Sequence, residues 1–216
     1  MTLRIKNSGG FTLIEMAIVL VIISLILGMI LLSGGATVGS TKTGKTITII
    51  SELSEAVSQF KSQYKYLPGD MLVNTEIAGV TAFCKVGGAD VGDGDGQITA
   101  NEATCVPEHL FRAGFIRADG ADANGIQTLV TPYGSIRVIS LANSVAGPSG
   151  LLGAGGRNVN SVIEVGNLPC SVAQEIDRKT DDDNITTGRT QAAKADGTSF
   201  GACNPGDIIP LLIVTM

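Results

Sequence analysis

The chain has 216 residues, of which 15 are Lys or Arg and 20 are Asp or Glu, so that its formal net charge is −5. This length allows one globular domain with a hydrophobic core plus a separate long element, and it excludes two large domains. The charges are dispersed, and because phosphate binding needs a clustered basic surface, we expect no nucleic-acid partner.

Residues 1–10 have the composition of a leader that precedes an apolar segment. Arg4 and Lys6 supply a basic start, and a Gly-Gly pair ending at Gly10 is followed at once by the nearly continuous apolar run 11–32. A secretory signal is cleaved after its apolar centre, whereas cleavage after Gly10 would leave the apolar run on the mature protein. We therefore predict a leader and then a transmembrane helix, since about 20 helical residues span about 30 Å.

A single carboxylate interrupts the apolar run, at Glu15. A charge in hydrocarbon costs about 2.5 to 3.5 kcal/mol on insertion scales, so this side chain should have a partner. The amino group that cleavage would create at Phe11 lies one helical turn away and is the candidate partner. The alternative is that Glu15 sits at the level of the lipid headgroups and is solvated there.

The residues around the predicted cleavage site resemble the leader of type IV pilins and of the pseudopilins of type II secretion. The match is position by position over Gly10, Phe11, Thr12, Leu13, Ile14 and Glu15. The resemblance implies that a prepilin peptidase cuts after Gly10 and methylates the new N-terminal Phe11. It also implies that Glu15 meets the Phe11 amine of a neighbouring subunit. The similarity covers about the first thirty residues and does not distinguish a pilus from a pseudopilus.

The same resemblance implies a structural subunit rather than an enzyme. Such a subunit lies in the lipid of the bacterial inner membrane with its globular domain in the periplasm. It then meets an inner-membrane assembly platform and packs with identical or related pilin subunits into an extracellular pilus or a periplasmic pseudopilus. The alternative is a minor tip or priming pilin that binds a surface, a secreted substrate or DNA. No catalytic motif opposes this prediction, since His109 beside Glu108 has no nucleophile in a shared motif.

The segment 33–66 is predicted to be the amphipathic half of the same helix, ending before Pro68. Its apolar residues recur at three- and four-residue steps and mark one helix face: Ile47, Ile50, Leu53, Ala56, Val57, Phe60 and Tyr64. We expect this face to pack on a globular, pilin-like domain formed by residues 67–216.

The globular domain is predicted to be α+β, with a small antiparallel sheet packed against the long helix. Runs rich in Val, Ile, Leu or Thr, bounded by Gly, Pro or Asn, predict strands over 128–131, 135–140, 161–165 and 208–215. Helices are predicted over 107–115 and 171–179, the second with Ser171 and Gln174 in capping-box spacing.

Four cysteines form an even set in a chain with an export signal, which favours disulfides. Three pairings are open. Shorter loops close at lower entropic cost, so we favour the two pairings that are local in sequence: Cys84 with Cys105 and Cys170 with Cys203. Zinc is the alternative, although no two cysteines form a Cys-x-x-Cys pair and His109 is the only histidine.

The first of two acidic loops matches part of the EF-hand calcium loop. Asp93, Asp95 and Glu102 have the relative spacing of three ligands of that loop, and the first ligand position falls on Val91. Calcium binding here would therefore need altered geometry or another ligand. The alternative is a solvated Gly-Asp turn.

The second acidic loop follows the last predicted helix and contains Asp177 and the run 181–183. Adjacent like charges repel one another, and either a bound cation or full exposure to water relieves the repulsion. The sequence favours solvation.

Overall fold

The computed structural model describes residues 10–72, 85–86, 89–90, 92–117, 119–123, 125–145 and 161–216, with the backbone alone described at 31–37, 85–86 and 89–90. Leader residues 1–9 and Cys84 lie outside the described residues. The chain divides into two compact units, one ending at Thr41 and the other beginning at Lys42.

In the first unit, helix α1 (Leu13–Tyr64) begins two residues after Phe11. The segment Leu13–Ile30 is long and apolar enough to cross a membrane, and none of it is buried. Ser24 is satisfied within the helix, since its hydroxyl donates to the Leu20 carbonyl at 2.7 Å. The exposed apolar surface of this segment is unfavourable in water and is stabilised by contact with lipid or with other apolar surfaces.

In the second unit, the C-terminal part of α1 buries one apolar face in the domain core. Ile50, Leu53, Val57 and Phe60 are all buried, as the three- and four-residue spacing predicts. The Phe60 ring lies 4.7 Å from that of Tyr64, centroid to centroid. The sequence-predicted apolar face of this helix is therefore confirmed.

The turn that ends α1 is close-packed. Gly69 adopts a φ of +94°, and a Cβ at that position would lie 2.5 Å from the Glu102 carbonyl oxygen. Only glycine fits this combination of conformation and proximity, so the chain can turn closely against the segment that contains Glu102.

The other described elements are short apart from one sheet and one helix. The helices are α2 (Ala100–Ala103), α3 (Val106–Arg112) and α4 (Cys170–Thr180), with a 3₁₀ turn at Leu141–Asn143. The strands are β1 (Lys85–Val86), β2 (Ala89–Asp90), β3 (Gly120–Ala121), β4 (Gln127–Thr128), β5 (Ile136–Ser140), β6 (Ser161–Pro169), β7 (Thr190–Ala193) and β8 (Ile208–Thr215).

Four strands form the central antiparallel sheet in the order β5-β6-β8-β7. Four residues of its two middle strands, Ile163, Val165, Leu212 and Ile213, are buried in one core cluster with residues of α1 and α4. Helix α4 packs against β6, β7 and β8. The architecture is α+β and pilin-like, with a long N-terminal helix and an antiparallel sheet, as predicted.

Candidate functional site

The predicted cleavage junction lies outside helix α1. Gly10 and Phe11 have no regular secondary structure, and Phe11 is 81 % exposed. A Cβ at Gly10 would meet no atom within 4 Å. Both residues of the predicted junction are therefore exposed.

Glu15 forms a capping box with Thr12 at the start of α1. One Glu15 carboxylate oxygen accepts hydrogen bonds from the Thr12 amide at 2.9 Å and from the Thr12 hydroxyl at 2.8 Å. The Thr12 hydroxyl in turn accepts from the Glu15 amide at 3.3 Å. This arrangement satisfies two helix N-terminal donors. Phe11 and Glu15 thus do not share the helix, because the helix begins at Leu13, and the partner of Glu15 within this chain is Thr12.

The first acidic loop is organised by a residue that lies upstream of it. Asp70 is buried, and its carboxylate accepts from the amides of Gly94 at 2.7 Å, Asp95 at 3.2 Å and Gly96 at 2.8 Å. Burial raises the pKa of Asp70 to about 6, although the amides of Gly96 and Gly94 oppose the shift. The spacing of Asp93, Asp95 and Glu102 contains no sign of this anchor, which lies more than 20 residues earlier.

The carboxylates of this loop only partly match the predicted calcium ligands. Oxygens of Asp93 and Glu102 lie within 4.8 Å of one another and of an Asp70 oxygen, and Asp95 is not in that group. Asp95 instead accepts from the Gln97 amide at 2.7 Å. Asp70 could supply the further ligand that Val91 cannot. The loop is nevertheless held together by its own hydrogen bonds, and calcium binding here stays a prediction.

Helix α2 places Glu102 by a second capping box. Its carboxylate accepts from the amide of Thr99, the N-cap residue, at 2.7 Å, and the Thr99 hydroxyl accepts from the Glu102 amide. Glu102 is therefore positioned by local helix chemistry as well as by its spacing in the loop.

His109 is a packing and hydrogen-bonding residue. Its Nδ1 accepts from the Gly69 amide at 2.9 Å, and its ring stacks on Phe60 with centroids 6.2 Å apart. Burial lowers the pKa of His109 to about 4, against the opposing charge of Glu108. The imidazole is therefore neutral at pH 7 and accepts the hydrogen bond that fixes the turn after α1.

The second acidic loop brings three carboxylates together at the end of α4. Oxygens of Asp177, Asp181 and Asp182 lie within 4.8 Å of one another. Asp177 is fully buried, with 0 % exposure, so water does not solvate it and the prediction of a solvated loop is wrong for this residue. Burial, followed by repulsion from Asp182 and Asp181, raises the pKa of Asp177 to about 6.

The described cysteines form disulfides. Cys170 is bonded to Cys203, with their Cα atoms 5.7 Å apart, as predicted. Cys105 is also disulfide-bonded. These three thiols are therefore not available as zinc ligands.

An exposed apolar N-terminal helix and an α+β domain with a four-stranded antiparallel sheet give the chain a pilin-like architecture. Residues 5–31 match the family model described as the prokaryotic N-terminal methylation motif, which is the signature of type IV pilin and pseudopilin precursors. The chain thus carries a prepilin signature over that segment, as the resemblance predicted. Neither a curated protein nor a solved structure matches the chain.

Proposed function

We propose that this protein is a structural subunit of a type IV pilus or of a type II secretion pseudopilus. Residues 11–32 hold the precursor in the inner membrane with the globular domain in the periplasm. A prepilin peptidase cleaves after Gly10 and methylates Phe11. The assembly platform then extracts the subunit, which packs by its N-terminal helix against identical or related subunits. The protein has no catalytic role in this proposal.

The observation that carries the proposal is the match of residues 5–31 to the methylation motif, together with a helix whose Leu13–Ile30 segment is not buried by the described part of the chain. An apolar surface of this size is stable in lipid or against other apolar helices. Membrane insertion followed by helix packing in a filament supplies both environments in turn, with the same surface.

Within this proposal, Glu15 acts through its charge when subunits pack. The capping box satisfies hydrogen bonds at the start of α1 in one chain, and no described residue forms a salt bridge with the Glu15 carboxylate. A neighbour's Phe11 amine, once cleavage has created it, has the opposite charge and would offset the cost of burying both groups. The pair would also set the axial register of adjacent subunits.

The test compares three variants in cells that contain the assembly machinery. Glu15→Gln keeps an oxygen that can accept from the Thr12 amide but lacks the charge, and Glu15→Ala lacks both. Thr12→Val lacks the capping hydroxyl and keeps the charge. We expect both Glu15 variants to be cleaved to a chain starting at methylated Phe11, as seen by mass spectrometry, while the yield of sheared filaments falls at least tenfold. Thr12→Val should be cleaved and should assemble.

Two results would contradict the proposal at different levels. A chain that keeps Met1 in cells with an active prepilin peptidase rules out the pilin-type function. Normal filament yield from Glu15→Gln, with a low yield from Thr12→Val, would show that Glu15 acts only by capping the helix. The proposed role of the protein as a filament subunit would still hold.

A further inference from the structure

Asp177 differs from every other buried acid that the structure describes. Neither Asp177 oxygen accepts a hydrogen bond from a described group. Burial raises the pKa of Asp177 more than the nearby Asn184 amide lowers it. The other buried acids all accept hydrogen bonds, and these acids are Asp70, Glu102, Glu108 and Glu164. A buried carboxylate without hydrogen bonds is costly, so this position favours a ligand that no described group of the protein supplies.

The two carboxylates that face Asp177 are positioned by the loop after α4. Asp181 accepts from the amides of Arg189 and Thr190, the second at 2.9 Å. Asp182 accepts from the Thr187 hydroxyl at 2.7 Å. Oxygens of all three aspartates lie within 4.8 Å of one another. The unpartnered buried group is thus directed at two oxygens that are already held in place.

Two features of the surroundings destabilise the three aspartates when no cation is bound. The three like charges repel at this separation. They also lie at the C-terminal end of α4, where the helix macrodipole is negative and acidic side chains are disfavoured. A positive ion between the oxygens would remove both penalties and supply the partner that Asp177 lacks.

We propose that Asp177, Asp181 and Asp182 bind a calcium ion that ties the last turn of α4 to the loop leading into β7. The donor set consists of carboxylate oxygens, which suit a hard cation. Calcium fits better than magnesium, since a ligand as fully buried as Asp177 must be reached by an ion that has lost water, and Mg²⁺ dehydrates reluctantly. Water completes the coordination on the exposed side, at Asp182.

The test uses the mature full-length chain in detergent micelles, stripped of metal with a chelator and with its disulfides intact. Affinities of extracellular calcium modules are about 0.1 to 1 mM, so 10 mM CaCl₂ should raise the thermal unfolding midpoint by about 3 to 6 °C or more. Asp182→Asn and Asp177→Asn should show a smaller shift than the wild type, and calorimetric titration with CaCl₂ should count one site fewer in each.

Two matched controls locate the ion. Asp183→Asn removes an adjacent exposed charge from the same loop, and Asp93→Asn alters the first acidic loop. Both should keep the calcium site at Asp177. Because Asp182 is exposed, Asp182→Asn should fold like the wild type by circular dichroism, so a smaller shift in this variant reports the ion. The proposal would be overturned by no shift in the wild type, by a shift in Asp182→Asn as large as that of the wild type, or by an equal shift with 10 mM MgCl₂.

Discussion

The neutral His109 imidazole should make the domain sensitive to acid. In the folded protein its Nδ1 accepts from the Gly69 amide, and burial lowers the pKa of His109 to about 4. An unfolded histidine titrates near 6.5. Between about pH 4 and pH 6.5, His109 is protonated in the unfolded chain and neutral in the folded chain. The stability that His109 contributes is therefore complete above about pH 6.5 and is lost as pH falls through 4.

The size of the effect follows from the difference between the two pKa values. A difference of about 2.5 units corresponds to about 3 kcal/mol in the free energy of unfolding. Asp70 works in the opposite direction, because burial raises its folded pKa to about 6 and folding is then favoured as pH falls from 6 towards 4. Asp177 has the same sign as Asp70. The wild-type profile alone therefore cannot isolate His109.

The variant His109→Asn isolates it, since an Asn side-chain oxygen can accept the Gly69 amide hydrogen and does not titrate. The assay is urea unfolding of the mature chain in detergent micelles at pH 7, 6, 5 and 4, with chelator present. We expect the stability advantage of the wild type over His109→Asn to shrink by about 3 kcal/mol from pH 7 to pH 4. An advantage that stays constant over this range would refute the assignment of a neutral, acceptor His109.

Two further predictions concern stability. Replacing both Cys170 and Cys203 with Ser opens a loop with a sequence separation of 33 and should cost about 4 kcal/mol in the chain-entropy model; equal urea midpoints for the oxidised wild type and the variant would contradict this. Arg137→Ala should cost about 3 kcal/mol, because Glu164 is buried and accepts from Arg137 and from the Ser144 hydroxyl, each at 2.5 Å; Glu164→Gln should cost clearly less, and the reverse order in urea unfolding would count against a buried ion pair.

Elements with a strong local pattern could be predicted from the sequence. The amphipathic part of α1 and the strands at β5, β6 and β8 have the expected periodicity or apolar runs. Strand β7 (Thr190–Ala193) was not predicted, since it lacks such a run, and its burial comes from pairing with β8 and from contact with α4. Helix α4 begins at Cys170, directly after strand β6, and has no side-chain cap, so the predicted Ser171 capping box is wrong.

Contacts between distant segments could not be predicted in this way. The spacing of Asp93, Asp95 and Glu102 identified an acidic loop, but its anchor is the Asp70 carboxylate, which binds the Gly94 amide 24 residues further along. Nothing in the local sequence distinguishes Asp70 from a solvated aspartate after a Pro-Gly turn. Its role depends on the packing of that turn against Glu102, which is a property of the folded chain.

Asp177 is a different case, because a local signal for its burial was present. The buried residues of α4 include Cys170, Ala173 and Asp177, which are spaced by three and four residues and share one helix face. That periodicity separates Asp177 from the acidic run at 181–183, which lies beyond the helix. A carboxylate on the buried face of an amphipathic helix, one turn from its C-terminal end, is unfavourable without a partner, and two further carboxylates have oxygens within 4.8 Å of it. The helical period therefore distinguishes a buried carboxylate from a solvated acidic loop where charge count alone does not.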